Sequence, residues 1–337
     1  MTRRELALDL GTANTLVYQP GRGVVYDAPT IVALNDRNGE VLAVGREAWD
    51  LTAKGSAHVV SARPLQRGAI ADFDMAQQMI RLILRGLGVG RFPKPRVMVC
   101  VPSLLTPVER KAVEEAVTQA GAGSVTLVDE PLAAAIGAGL PIQEPMGSFV
   151  VDVGGGTSEM FMLAMGALVT GKAVKVGGFD MDAAIQLHIR RTCGVAIGEL
   201  AAERIKIRMG SAYPAAEEGE AEVRGREITT GMPKSVVISP EEIREVLKET
   251  VGTIVDTTRT CLAESPPELG HDVLETGLFL TGGGAMLKGL DMRLAQECEV
   301  PVHLTENPLR TVVIGAGHLL EYLPEYRATF LAATHRD

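Results

Sequence analysis

The stretch Asp152-Val153-Gly154-Gly155-Gly156-Thr157-Ser158-Glu159 decides how this chain reads. It closes an apolar run, Gly147–Val153, on an aspartate, turns through three glycines and enters a second apolar run. Each glycine gives up about 0.5–1 kcal/mol of chain entropy, a cost that a routine turn avoids and a backbone approaching a ligand closely requires. The pattern has an earlier echo, 143 residues before, in Asp9-Leu10-Gly11-Thr12-Ala13-Asn14-Thr15. There too a strand ends in Asp-x-Gly, turns on short polar residues and continues as a second strand. A spacing that long belongs to no solenoid. It predicts two similar α/β halves facing each other. Taken alone, Asp9–Thr15 reads equally well as a hairpin turn. Taken together, the two loops make a two-jawed phosphate clamp with one aspartate per jaw, and Asp9 can reach a Mg²⁺ ion that keeps most of its waters.

Working outward, strand-like and helical segments alternate along the chain, the pattern of an α/β fold. Val97–Val101 is a continuous apolar run, as in a strand covered on both faces. Thr106, Pro107 and Glu109 spell a capping box at a helix start, with Gly121 as its stop. Ser239-Pro240-Glu241-Glu242 spells another, opening a helix that runs to about Leu262. Asp129-Glu130-Pro131 opens an alanine-rich helix. A carboxylate at that position is stabilised as the anion and suited to orient an attacking water, although a plain helix-capping acid has the same appearance. Leu278–Met286, an apolar strand running into Gly282-Gly283-Gly284, allows a flat base to lie against backbone. Glu203 and Lys206 on a helix would flank it, unless they form only a surface ion pair. Gly166–Ala173 nearly spells a P-loop, but its eighth position is Ala173, without the hydroxyl that holds Mg²⁺; it reads as a hairpin.

Composition narrows the function further. Thirty-three Lys and Arg against 42 Asp and Glu leave a net charge of −9, which argues against nucleic acid as a partner. Aromatic residues make up only 4% of the chain, too few for a base-stacking platform. The four cysteines form no C-x-x-C pair and the six histidines no metal-binding spacing, so neither a disulfide framework nor a zinc enzyme is expected. No apolar stretch reaches the ~18 residues of a membrane span, and the start carries no signal-peptide core. A cytoplasmic location is expected.

These loops, in this order, resemble the actin-like ATPase superfamily and, within it, the rod-shape-determining bacterial actin homologues. The likeness rests on Asp9–Tyr18, Val128–Leu140, Asp152–Glu159, Ala202–Lys206, Gly210–Pro214 and Leu280–Leu287, and spans nearly the whole chain. It implies two lobes with ribonuclease-H-like cores, each carrying a small subdomain, around a nucleotide cleft. The first core would comprise residues 1–31, 63–137 and 308–337, with 32–62 as its subdomain. The second would comprise 138–175 and 239–307, with 176–238 as its subdomain. By the same resemblance Asp9 and Asp152 are metal-side aspartates, while Gly11, Thr12, Ala13, Asn14, Gly154, Gly155 and Gly156 bind phosphates. Glu130 and Thr157 orient the hydrolytic water. Glu203, Arg204, Ile205, Lys206, Gly282, Gly283, Gly284, Ala285 and Met286 contact ribose and base. The cofactors implied are ATP (or GTP) and Mg²⁺. The partners implied are further copies of the chain in a filament, the inner face of the cell membrane, and proteins of cell-wall morphogenesis.

Two departures from the family pattern stand out. Gly177-Gly178-Phe179-Asp180 replaces the Gly-Gly-Asp-Lys of many relatives, and Arg3 and Arg4 stand where many carry an apolar membrane anchor. The membrane contact is expected instead in the Gly86–Arg96 loop, where Val89 and Phe92 are flanked by Arg85, Arg91, Lys94 and Arg96. The rival functions on the same fold are a chaperone-type and a sugar-kinase-type ATPase. The first would need a substrate-binding domain beyond the ~50 residues that follow the adenosine loop, and the second a catalytic aspartate and sugar pocket that the sequence does not display. A third is a nucleotide-binding relative that no longer polymerises.

Overall fold

The computed structural model describes residues 3–53, 58–89, 93–214 and 219–321. Arg91 and Phe92 of the basic loop, the acidic residues Glu217 and Glu218, and positions 322–337 lie outside the described residues.

The first half opens with the meander β1 (Glu5–Leu10), β2 (Asn14–Gln19) and β3 (Gly23–Pro29). A small three-stranded sheet follows, β4 (Val32–Asn35), β5 (Val41–Val44) and β6 (Val59–Ala62), with α1 (Gly45–Ala53) between its last two strands. A two-residue hairpin, β7 (Leu65–Gln66) and β8 (Ala69–Ile70), leads back to α2 (Phe73–Gly86), β9 (Arg96–Val101), α3 (Pro107–Ala120), β10 (Ser124–Asp129) and α4 (Glu130–Gly137).

The second half repeats the meander as β11 (Ser148–Val153), β12 (Ser158–Ala164) and β13 (Ala167–Val174). It continues through α5 (Gly178–Cys193), β14 (Val195–Ala196), α6 (Glu199–Met209), β15 (Ala221–Glu227) and β16 (Pro233–Ile238), with β14, β15 and β16 forming a small three-stranded sheet. The chain then forms α7 (Pro240–Ala263), α8 (Pro267–Thr276), β17 (Leu278–Thr281), α9 (Leu290–Cys298), β18 (Val302–Leu304) and α10 (Thr311–Glu321).

The two large sheets have one topology. The orders β10-β9-β1-β2-β3 and β13-β12-β11-β17-β18 are each an antiparallel meander extended by two parallel strands beside its first strand. The register extends the duplication to single residues. Leu10 pairs with Thr15 across the first hairpin and Val153 with Ser158 across the second, so Asp9 and Asp152 occupy equivalent places beside four-residue loops. The outer face of each sheet is covered by its own helices, giving separate cores around Leu8, Ile80 and Val117 and around Met160, Ile185 and Ile254.

The inner faces meet over α4 and α10. One cluster joins Ala7 and Met98 of the first sheet to Val150 and Phe161 of the second through Ala133, Ala134 and Val313. The two helices cross backbone to backbone. A Cβ on Gly137 would strike the Thr311 carbonyl, and one on Gly315 the Ala133 carbonyl.

The punctuation signals act largely as read. Thr106 Oγ1 accepts from the Glu109 N–H at 3.3 Å, and the Glu109 carboxylate accepts from the Thr106 N–H at 2.8 Å, closing the capping box of α3. Ser239 caps α7 through the Glu242 N–H at 3.1 Å, but the Glu242 carboxylate pairs with His188 at 2.5 Å and leaves that box half closed. The P-loop-like segment is the β12–β13 hairpin, turning at Met165 and Gly166 with φ of 50° and 72°.

Gly315→Ala is expected to destabilise the chain by about 3 kcal/mol, because overpacking against backbone leaves no rotamer to relax. Gly252→Ala in α7, where a methyl meets nothing within 4 Å, should stabilise by about 0.5–1 kcal/mol. Denaturant unfolding of the two variants checks the pair; equal midpoints would mean that the crossing tolerates a methyl.

Candidate functional site

Between the halves lies a cavity of about 520 Å³. Its floor is the pair of equivalent loops, each shaped by a glycine that admits no side chain. A Cβ on Gly11 would sit 2.7 Å from the Asn14 carbonyl oxygen, and one on Gly154 3.0 Å from that of Thr157. Both loops are held with their carbonyls turned into the protein. Gly11 and Ala13 present theirs to Thr30, through its hydroxyl at 2.7 Å and its N–H at 2.8 Å. Gly154 and Gly155 present theirs to the N–H groups of Gly178 and Phe179, at 3.0 and 2.8 Å. Among the described residues, the N–H groups of Thr12, Ala13, Gly155 and Gly156 have no partner. Amides left over on a loop whose carbonyls are occupied form an anion-binding nest.

Beneath the loops, carboxylates crowd together. Burial pushes Asp9 up to about 7, and burial together with Asp9 does the same to Asp152. Glu159, opposite Asp152 in the β11–β12 register, is also raised to about 7 by burial, even though the Ser103 N–H and hydroxyl donate to its Oε1 at 3.0 and 2.6 Å. Its Oε2 is buried without a partner. Glu130, the first residue of α4, is raised well above the carboxylate range by burial and by Glu159, Asp9 and Asp152.

Such a cluster calls for a cation. Among the described residues no three His, Cys, Asp or Glu side chains are grouped so as to hold a metal ion by themselves. The donor set fits a hydrated Mg²⁺ held by one or two carboxylates and by a ligand's phosphates.

The far wall is less polar. Gly282, Gly283, Gly284 and Met286 line it, the last three in a 3₁₀ turn, and Ile207 lies on α6 at the same side. Gly282 has φ of 86°, and a Cβ there would strike both the Asp152 carboxylate and the Val153 carbonyl, so only glycine lets this turn pack on β11. Glu203 and Lys206 reach the cavity from α6, but they do not pair with each other. Lys206 Nζ binds Asp182 at 2.9 Å and the Gly178 carbonyl at 3.0 Å. Burial still raises Asp182 to about 6, and its Oδ1 has no partner.

Of the residues singled out from sequence, Asp9, Gly11, Thr12, Ala13, Asn14, Glu130, Asp152, Gly154, Gly155 and Thr157 line the cavity, with the Glu203, Lys206 and glycine-turn group opposite. Four do not. Gly156 packs on Arg67 and Thr12, Arg204 faces solvent, and Ile205 and Ala285 belong to the second-lobe core. Thr12 contributes backbone, since its hydroxyl accepts from the Gly68 N–H at 2.9 Å. Val89 is half-buried against the first-lobe core and its N–H donates to the Leu84 carbonyl at 3.1 Å, so it is not a projecting tip. Sequence reasoning missed Glu159, Phe179 and Ile207. The first was legible from its place opposite Asp152 in the hairpin, and the last from its i+4 spacing to Glu203; Phe179 carried no signal beyond its departure from the family pattern.

Two duplicated ribonuclease-H-like sheets closing on a glycine-walled cleft define an actin-like protein. The MreB/Mbl protein family matches residues 3–328, and this chain belongs to it. The cell shape-determining protein Mbl of Bacillus cereus is 42% identical over 322 residues, which are 95% of this chain and 97% of that protein. The cell shape-determining protein MreB of Escherichia coli is 44% identical over 329 residues, 96% of this chain and 95% of its own. MreB5 of Spiroplasma citri, solved bound to ADP, is 33% identical, covers 97% of this chain and 99% of its own, and superposes with a TM-score of 0.90. It has also been solved bound to AMPPNP.

The carboxylate cluster predicts a pH dependence in the ligand-free, metal-free protein. Groups titrating near 7 when folded and near 4 when unfolded hold their protons only in the folded chain over that interval. Stability should therefore fall as pH rises from about 4 towards 7, and level off above about 8. Asp152→Asn should flatten the slope and raise stability at pH 8. Urea unfolding across this range tests it; a slope unchanged by the substitution would place Asp152 outside the cluster.

Proposed function

We propose that this chain binds Mg·ATP in the cleft, hydrolyses it slowly, and assembles into filaments beneath the cell membrane that direct cell-wall synthesis and cell shape. One observation carries the nucleotide reading. Two equivalent loops present unpartnered N–H groups above a cluster of carboxylates that no cation among the described residues neutralises. Phosphates satisfy the amides, and the accompanying divalent ion satisfies the acids. The ADP and AMPPNP complexes of MreB5 support this assignment. The names of the Mbl and MreB relatives support the cell-shape role.

When bound, Mg²⁺ draws charge from the phosphate oxygens. Asp9 and Asp152, one from each lobe, would hold the ion through its water shell, and Glu130 stands beside them at the head of α4. At the first turn of α4 its carboxylate accepts a hydrogen bond from water and, with Thr157, aims it along the line of the γ-phosphate. The base lies against Gly282–Gly284 and Met286, facing Ile207, with Glu203 accepting from the ribose hydroxyls. GTP fits the same backbone wall.

No helix among the described residues is long and apolar enough to cross a membrane. The proposed attachment is peripheral, with repetition along a filament multiplying weak single contacts. The basic residues Arg85, Lys94 and Arg96, with Phe92, are its proposed carriers.

Glu130→Ala should retain ATP while slowing phosphate release about 10- to 10³-fold. Normal turnover would return Glu130 to the role of a helix-capping acid. Pelleting with ATP, with ADP and without nucleotide tests assembly, and nucleotide-independent sedimentation or none at all would overturn it. In flotation with anionic liposomes under polymerising conditions, Phe92→Ser should stay behind while wild type rises; equal flotation removes the loop from the proposal.

A further inference from the structure

The rim of the cleft is tied across. Arg63, between β6 and β7 on the first lobe, places its guanidinium carbon 4.4 Å from the centroid of the Phe179 ring on the second. Its Nε lies 3.6 Å from Glu199 Oε2 at the start of α6. The Arg63 side chain is only 16% exposed, against 72% for Glu199. The exposed carboxylate adds little, and the stacked, largely desolvated guanidinium adds more. A planar cation suits this place: it stacks on the ring, keeps the Glu199 carboxylate within 3.6 Å, and its charge also reaches Asp182. A second, looser pair, Arg67 Nη2 to Asp180 Oδ1 at 4.0 Å, lies one residue along α5.

Phe179 leads directly to the phosphate site. It lines the cavity, and its own N–H donates to the Gly155 carbonyl at 2.8 Å, while that of Gly178 donates to Gly154 at 3.0 Å. The first turn of α5 is therefore the brace of the second phosphate loop. Pulling its ring towards the first lobe presses that loop onto Ala13, against which Gly155 already packs without room for a Cβ.

We propose that Arg63 and Phe179 form a clasp across the cleft that slows nucleotide release by holding the second phosphate loop closed. They are positioning residues, acting on the nucleotide through the backbone of α5. The inference rests on the nucleotide reading above. It predicts that the leaving nucleotide must first wait for the stack to part, so the two side chains act as one unit.

Stopped-flow release of a fluorescent ADP analogue with Mg²⁺ tests it. Arg63→Ala and Phe179→Leu should each speed release about three- to tenfold. The double variant should be no faster than the faster single one. Arg63→Lys, which keeps the charge but loses the plane, should fall between, and Phe179→Tyr should match wild type. Wild-type rates in the single variants, or single effects that multiply in the double, overturn the clasp. Hydrogen exchange of the Gly178 and Phe179 amides, which donate to the Gly154 and Gly155 carbonyls, gives an independent readout in nucleotide-free protein. Protection should drop in Arg63→Ala, and unchanged protection also overturns it. If wild type binds no nucleotide, the functional reading fails, and the exchange experiment alone judges the clasp.

Discussion

The backbone crossing of α4 and α10 is the constraint on which the remaining architecture hangs. Because Gly137 and Gly315 carry no side chains, the two helices approach until carbonyls occupy the space that methyls would take. Two sheets can then share one inner core, from Ala7 and Met98 to Val150 and Phe161. The loops at the ends of β1 and β11 are set opposite each other as a result. Wider helices would thicken the seam and spread Asp9 from Asp152, whose mutual repulsion exists only because they are close. The crossing thus fixes the width of the gap between the two loops.

That gap is unfavourable to the empty protein. Several buried carboxylates near one another, one with an orphaned oxygen, lower stability until something positive enters. The same residues that weaken the ligand-free fold make it responsive to a charged ligand. A site built from apolar residues of similar volume would be more stable and would gain nothing from a charged ligand. The surrounding core compensates: Val150, Val151, Phe149 and Met160, beside the acidic residues on the same strands, are fully buried.

Much of this was legible in the sequence because backbone chemistry writes itself in glycine, proline and capping residues. The turns at Gly11 and Gly154, the box at Thr106 and Glu109, and the helix start at Glu130 all follow from local rules. What local rules do not carry is which side of an element faces the cleft. On α6 the motif Ala202–Lys206 is continuous in sequence, yet the helix turns Glu203 and Lys206 to the cavity, Ile205 to the core and Arg204 to solvent. The pairing of Lys206 with Asp182, 24 residues away, rests on the packing of α5 against α6, and adjacent Glu203 offered a false local partner. Val89 shows the same limit, since an apolar residue in a basic loop serves equally to cover the loop's own lobe.

The duplication is also unequal in a way that bears on how the lobes respond. The register sets Leu16 against Asp9 but Glu159 against Asp152, so the acidic excess belongs to the second jaw. The first loop is pinned by Thr30, whose hydroxyl also meets that of Thr15 at 2.9 Å, both residues being buried within their own lobe. The second loop is pinned instead by the first turn of α5. One jaw is therefore held by the residue that follows β3, the other by the start of a helix packed on the second sheet. Only the second loop is joined in this way to a helix, through Gly178 and Phe179 to the length of α5. Duplication supplied two equivalent loops, and their different anchors, a hydroxyl and amide of one residue for the first and a helix start for the second, distinguish them.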